Sequence, residues 1–339
     1  MAPRRSTPAQ GCPRRLRCSW KRPNSARCAL WWGIKMRRGG TDRGVALINA
    51  LVMLAAISAV ATALMFLAER SRGRLQNLQE VAQATLYLDS VAHLVPMILE
   101  KDWKDTDKLD HLGEIWAKPE YALPIDRGLV EGSLHDLQGR FNINWLTDRG
   151  APDMTQVLER LLRRLELPPV LASAIAEYVS ETGPANPSLY TNRAIAMQPP
   201  KGRLYSIDEL RLVYGMTPGH FRRLAPFVAS LPANSQLNVN TAPVELLEAF
   251  LPAANPTALS RLTEARAQEP FQSVGDFADQ ARRLIHRDVF QGATTGRFSV
   301  NSNWFQAMFT ASLGRIKLSR RLIVHRSDQD GHVSIQENQ

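Results

Sequence analysis

The spacing of apolar and polar positions changes along this chain, and each change marks a different element. Residues 45–68, VALINALVMLAAISAVATALMFLA, form an unbroken run of 24 uncharged positions. Coiled as a helix, such a run extends ~36 Å, enough to cross the hydrocarbon core of a bilayer. Beyond it Leu75, Leu78, Val81, Ala84, Leu88, Val91 and Val95 recur at steps of three and four. The helix is therefore expected to continue to about residue 95 and lay one apolar stripe on a sheet. Pro96 should kink or end it, having no N–H to donate to the preceding turn. The stretch 101–110, KDWKDTDKLD, carries Asp102, Asp105, Asp107 and Asp110. It lacks the central glycine and closing glutamate of a calcium loop, and is read as a solvated loop.

Residues 129–146, LVEGSLHDLQGRFNINWL, read as a hairpin: a strand to Leu137, a Gln138-Gly139 turn, and a return with Phe141, Ile143 and Trp145 on one face. From 147 to 296 the period becomes helical. Val157, Leu158, Leu161, Leu162 and Leu165 mark one helix and residues 169–180 a second. Ser206-Ile207-Asp208-Glu209 is a capping-box pattern opening a third that ends near Gly215, while Thr217-Pro218, Thr241-Ala242-Pro243 and Ser273 with Asp276 mark further starts. Strand alternation returns after Arg297. Phe305, Ala307, Phe309 and Ala311 share one face, Leu313-Gly314 turns, and Ile316, Leu318, Leu322 and Val324 come back on the same face, with Arg320 as the exception. Residues 327–339 are polar and expected to fray. The fold class is α+β: a long N-terminal helix packed on an antiparallel sheet, with a large all-helical inserted domain. Its expected segments are a leader at 1–44, with Met36 as an alternative start, the transmembrane helix at 45–100, strands at 101–146, the insert at 147–296, and C-terminal strands and tail at 297–339.

Composition changes the picture only at the front. Residues 1–44 hold 12 of the 42 Lys and Arg and one of the 32 acids, so the formal charge of +10 belongs to the leader and the body carries 30 basic against 31 acidic groups. Cys12, Cys18 and Cys28 also lie there. The body thus has no thiol for a disulfide, a nucleophile or a cysteine-ligated zinc. Its balanced charge also argues against a broad nucleic-acid surface.

Arg37, Arg38 and Arg43 precede the apolar run and a mixed Glu69-Arg70 follows it, which keeps the N-terminus cytoplasmic. The bulk of the chain is then outside, which in a double-membrane bacterium means the periplasm, on a single pass of the inner membrane. A plain signal anchor meets these facts. The position of Gly44 adds another reading, because a short basic segment ends in glycine directly before the apolar run, where an ordinary secretory signal is cut after it. Arg43-Gly44-Val45-Ala46-Leu47 resembles the site of a type IV prepilin peptidase. That implies cleavage after Gly44 and N-methylation of Val45; a residue without a Cβ lets protease backbone approach closely. Proteins of this kind usually carry glutamate at the fifth mature position, where it neutralises a neighbour's terminal ammonium inside an apolar core. Here the substituted fifth position is Asn49. Either the chain is no pilin, or it is the subunit with no neighbour above it.

Catalytic patterns are missing. There is no Gly-rich phosphate loop and no G-x-S-x-G elbow, and the seven histidines never reach metal-ligand spacing. His135 and Asp136 could form half a dyad, but a turn position accounts for Asp136. No enzymatic role is expected.

Five segments in order resemble one family. RGVALINALVML, DHLGEIWAKP (110–119), DLQGRFNINWL (136–146), SIDELRLVYGMTP (206–218) and LNVNTAPVELLEAF (237–250) are similar to general secretion pathway protein K, the K-type minor pseudopilin of type II secretion systems. The likeness runs over residues 43–325. It implies a pilin-like helix and antiparallel sheet interrupted by a helical domain, and it turns Asn49 into support, since that subunit characteristically lacks the glutamate. It also implies a filament-tip protein that joins the I- and J-type minor pseudopilins, is processed by prepilin peptidase, and meets secreted substrates and the outer-membrane channel. Family members commonly bind calcium in the helical domain through an acidic stretch. Here the matching segment, 177–184, has lost most of its acids, and Glu181 with Asp208 and Glu209 is a thin set for a cation that wants six to eight oxygens; no cofactor is assigned, and calcium stays the candidate. The rival is a membrane-tethered helix-hairpin-helix protein of DNA uptake, which residues 237–250 and 269–277 also resemble. Its hairpin would point backbone N–H groups at phosphate. Residues 251–256, LPAANP, contain no glycine and two prolines, so nucleic acid is not expected as a partner.

Overall fold

The computed structural model describes residues 42–106, 108–147, 152–192, 197–286, 290 and 296–338. The leader up to residue 41, with its cysteines, and Asp107 lie outside the described residues. The chain separates into two units, Met1–Ala68 and Glu69–Gln339. In the first, the described residues belong to helix α1 (Asp42–Ala92), and every side chain from 44 to 68 is exposed. The stretch is long and apolar enough to cross a membrane. Thr62 Oγ1 returns its proton to the Ser58 carbonyl at 2.8 Å, which satisfies the hydroxyl within the helix, as an apolar medium requires.

In the second unit α1 is followed by α2 (Leu94–Asp105), β1 (Tyr121–Ile125), β2 (Gly128–Asp136) and β3 (Phe141–Asn142). Then come α3 (Pro152–Arg164), α4 (Val170–Val179), α5 (Ser188–Thr191), α6 (Pro218–Leu224), β4 (Val228–Ala229), β5 (Leu237–Asn238), α7 (Val244–Phe250), α8 (Pro256–Gln268) and α9 (Val274–Leu284). β6 (Phe298–Ser299), β7 (Trp304–Leu313), β8 (Ile316–Arg326) and β9 (Val333–Asn338) close the chain. Five strands form one antiparallel sheet in the order β1-β2-β7-β8-β9. Phe305, Ala307, Phe309 and Ala311 of β7 are buried with Leu322 and Val324 of β8 against Ala84, Leu88, Val95 and Leu99 of the helices. Trp116 closes this core edge-on to Phe305, with ring centroids 5.2 Å apart. Each such fully buried large side chain stabilises by about 1.5–3 kcal/mol. Arg320, the polar exception on β8, reaches Asp89 of α1.

The structure corrects several sequence expectations. The first part of the α1 stripe is not core: Leu75 and Leu78 are exposed, and burial starts at Glu80 and Ala84. The sheet ends at that level, because the β7–β8 turn places Gly314, at φ +55°, against the Glu80 carboxylate. The helix breaks at His93, three residues ahead of Pro96, which then sits in the first turn of α2 where its missing N–H costs nothing. Residues 129–146 are not a hairpin. β2 pairs with β1 and β7, whereas β3 pairs in parallel with β4 and residues 143–147 wind into a 3-10 turn. The alternation misled because Asn142 and Asn144, the supposed outer face, are as buried as Phe141, Ile143 and Trp145. The tail does not fray; β9 pairs with β8 and Val333 N donates to Glu100 Oε1 at 3.0 Å.

The helical region has its own core. Met154, Val157, Leu158, Leu161 and Leu162 of α3 pack with Leu171, Ile175 and Val179 of α4 and with Leu246, Leu247 and Phe250 of α7. Helix starts follow capping chemistry. Thr217 accepts from His220 N at 3.1 Å and Ser273 from Asp276 N at 3.1 Å. Ser206 and Glu209 form the reciprocal capping box, but the turn they open is a short 3-10 helix, residues 207–212. Thr241 is not a cap; α7 starts after Pro243 without a side-chain acceptor.

Candidate functional site

The strands and the helical insert meet at a buried polar node, assembled where β2 ends. Asp136 Oδ1 accepts from Gln138 N at 2.7 Å, the turn geometry its sequence position implied. Its Oδ2 accepts from Thr241 Oγ1 at 2.5 Å, Ser302 Oγ at 2.6 Å and Asn238 Nδ2 at 3.3 Å. Gly139 permits this approach, since a Cβ there would lie 2.7 Å from Thr241 Oγ1. One carboxylate thus ties β2 to the insert and to the strand returning from it. Burial raises the Asp136 pKa, against the three hydrogen bonds from Ser302, Thr241 and Gln138. His135 pairs with Ser133 Oγ at 3.1 Å instead, so no dyad is formed with Asp136.

A second cluster adjoins the first through Ser302. Arg326, at the end of β8, is fully buried. Its Nη2 donates to Asp110 Oδ1 at 2.6 Å, to Asp110 Oδ2 at 2.5 Å and to the Ser302 carbonyl at 2.7 Å. The guanidinium lies over the rings of Trp103 and Phe305 at 4.8 and 4.9 Å. Carboxylate oxygens of Asp102, Asp110 and Glu114 lie within 4.8 Å of one another. Glu114 Oε2 accepts from His111 N at 3.0 Å and Trp116 Nε1 at 2.5 Å, while Oε1 is buried without a hydrogen bond. Burial, above all, lifts each of the three carboxyls to about 7; repulsion adds to it, and Arg326 opposes it. Stretch 101–110 is therefore no solvated loop: α2 runs on to Asp105, and Asp110 is sealed in the protein. Reading from sequence missed this node, because the partner of Asp110 is 216 residues away. Its one local trace is acids beside tryptophans in 101–116.

The residues matched to a calcium stretch are engaged within the chain. Glu209 accepts from Tyr205 N at 2.8 Å and Ser206 N at 2.9 Å. Asp208 pairs with Arg211 at 2.8 Å, and Glu177 accepts from Ala185 N at 3.2 Å. One oxygen of each is thus engaged in a cap, an ion pair or a turn. Of the three clustered acids elsewhere, Asp102 and Asp110 already pair with Arg326. The hairpin of the DNA-uptake reading is spent too. Leu251 N and Ala254 N donate within the turn, and Asn255 Oδ1 takes Ala258 N at 2.8 Å, leaving few N–H groups to offer phosphate.

Gly44, Val45 and Asn49 all lie on α1 and are exposed. A Cβ at Gly44 would meet nothing within 4 Å, so packing in this chain gives no reason for glycine there.

A membrane-length helix that continues onto an antiparallel sheet with a helical insert defines a membrane-anchored, pilin-like subunit. Comparisons narrow this class. The family described as "Type II secretion system (T2SS), protein K" matches residues 139–233 and 237–296. Type II secretion system protein K of Pseudomonas aeruginosa is 31% identical over 300 residues, covering 82% of this chain and 86% of the relative. The Klebsiella pneumoniae protein of that name is 27% identical over 305 residues, covering 84% and 93%. A chain of the crystal structure of the GspK-GspI-GspJ complex from enterotoxigenic Escherichia coli superposes with a TM-score of 0.68 at 27% identity, covering 78% of this chain and 98% of that one. The chain belongs to the type II secretion system protein K family and is a K-type minor pseudopilin. It is a structural component of a secretion system, membrane-anchored with its bulk in the periplasm.

Proposed function

We propose that this chain is the tip subunit of the pseudopilus, cleaved by prepilin peptidase between Gly44 and Val45, methylated at Val45, and assembled with I- and J-type minor pseudopilins to start and cap the filament. The observation that carries the reading is a glycine without any packing role directly before an exposed, unbroken apolar helix. Such a residue suits a protease that needs close backbone approach. The mature helix keeps its whole apolar length in the inner membrane and offers it to sister helices. Asn49 carries no carboxylate, in keeping with a subunit that has no terminal ammonium above it to neutralise. The I- and J-type partnership draws on the related E. coli protein, solved in a GspK-GspI-GspJ complex. The helical insert, residues 147–296, whose core also takes in Phe141, Ile143, Trp145 and Phe298, adds bulk that blocks a further subunit. Secreted substrates and the outer-membrane channel are then the partners facing the tip.

N-terminal mass analysis of the full chain, expressed with and without active prepilin peptidase, tests the processing. A methylated Val45 terminus is expected only with the peptidase, and an intact leader in its presence would refute it. Capping is tested by removing residues 147–296, which should lengthen filaments; unchanged filament length would defeat the steric argument.

A further inference from the structure

Block 136–146 was singled out in the sequence, and the structure assigns nearly all of it to architecture. Gln138 Nε2 donates to the Gln236 carbonyl at 3.0 Å and its Oε1 accepts from Asn303 N at 2.7 Å. Asn142 bonds the Pro232 carbonyl and Leu231 N, Asn144 bonds Leu204 and Leu231, and Trp145 Nε1 donates to the Ser235 carbonyl at 2.8 Å. Arg140 is the exception. Its guanidinium is only partly exposed, yet it makes no hydrogen bond or ion pair among the described residues. Its five N–H donors, partly shielded from water, are open to an acceptor.

Arg140 shares a small cavity with Arg321, Gln306, Ser206 and Ser230. The space, about 30 Å³, holds about two waters, or the three heavy atoms of a carboxylate. Arg321 faces the same space from β8, and its nearest acid, Asp208 Oδ2, is 3.8 Å away while Oδ1 of that residue is held by Arg211 at 2.8 Å. Gln306 is buried, and its amide makes no hydrogen bond among the described residues. Asp136 attracts Arg140 from the other side, but its oxygens already accept from Gln138, Thr241, Ser302 and Asn238. His135, on that side too, has its pKa lowered by burial and then by Arg140 itself. Two cations and a free amide therefore line one cavity, and the acid within ion-pair reach of Arg321, Asp208, is shared with Arg211.

We propose that Arg140, Arg321 and Gln306 form an oxyanion site that takes a carboxylate, with the Arg140 fork as its bidentate donor. A planar fork and a nearby amide match the two oxygens of a carboxylate better than a point cation would. The carboxylate is supplied by an acidic side chain of a protein docked over the cavity or by a free small acid. Either source has the same chemistry at the site.

The full chain in detergent is labelled with phenylglyoxal, an arginine-selective reagent, with and without glutarate at constant ionic strength, and each arginine is followed by peptide mass spectrometry. Glutarate should slow labelling of Arg140 and Arg321 at least several-fold and leave exposed Arg261 unchanged. In Arg140→Lys, which keeps the charge and guards against a folding defect, glutarate should still protect Arg321, more weakly. In Arg140→Gln that protection should vanish. Repeating the labelling on the chain within the assembled secretion apparatus separates the sources. Arg140 already protected without glutarate means a protein carboxylate, and Arg140 still open to labelling and protectable by glutarate means a free acid. Equal labelling with and without glutarate in the isolated chain, or equal slowing at Arg261, would overturn the site.

Discussion

Replacing Glu114 with glutamine should stabilise the protein at neutral and alkaline pH and change little in mild acid. The bonds that Glu114 Oε2 accepts from His111 N and Trp116 Nε1 can pass to the glutamine carbonyl. The other oxygen is buried with no donor, in a cluster whose carboxylates lie within 4.8 Å of one another, and an amide nitrogen there would turn N–H groups toward Asp102 and Asp110. His111 Nε2, at 3.9 Å, is too far to donate. Burial is the main cause that lifts the Glu114 carboxyl from 4.5 to about 7, which at 1.36 kcal/mol per pH unit puts an upper bound of about 3 kcal/mol on the penalty for the ionised form. Because the folded value lies above the unfolded one, this group's contribution is whole below about pH 4.5 and is lost as pH rises through about 7. The variant should therefore gain about 1–3 kcal/mol at pH 8 and nearly nothing at pH 5. His111 and His135, whose pKa values burial lowers, act in the opposite sense and lose stability as pH falls below their ordinary 6.5. Both proteins keep them, so they cancel in the difference, which reports Glu114 together with its repulsion of Asp102 and Asp110. Urea unfolding of the full chain in detergent at pH 5, 6, 7 and 8 and fixed salt measures it. A variant that is less stable at pH 8, or a gap that does not widen with pH, would refute the reasoning.

Trp116→Ala empties a site that is 1% exposed beside Phe305 and should cost about 3–5 kcal/mol in denaturant unfolding; a cost under about 1 kcal/mol would mean the sheet core does not depend on it. Asn144→Ala strips buried partners from Leu204 N and the Leu231 carbonyl, for an expected loss of about 3 kcal/mol and faster amide exchange across residues 204–231. Gly331 has φ +70°, and a Cβ there would overlap the Trp103 ring. Gly331→Ala should therefore raise amide exchange in β9 while leaving α3 and α4 unchanged, and intact β9 protection would contradict the assigned turn.

Local patterns in the chain determined the membrane helix, the amphipathic helices α3 and α4, the caps at Ser206, Thr217 and Ser273, and the β7–β8 hairpin. Each depends on residues within a turn or two of one another, where periodicity and capping act directly. The turn role of Asp136 was legible for the same reason. Tertiary structure decided the rest. Asn142 and Asn144 read as a solvent face until their partners at Leu204, Leu231 and Pro232, some 60 to 90 residues away, were in place. Asp110 read as solvated until Arg326 came to it, and the tail read as loose until β8 offered it an edge. Burying a polar group is costly unless a partner meets it, and in this chain those partners are supplied by topology rather than by neighbouring residues.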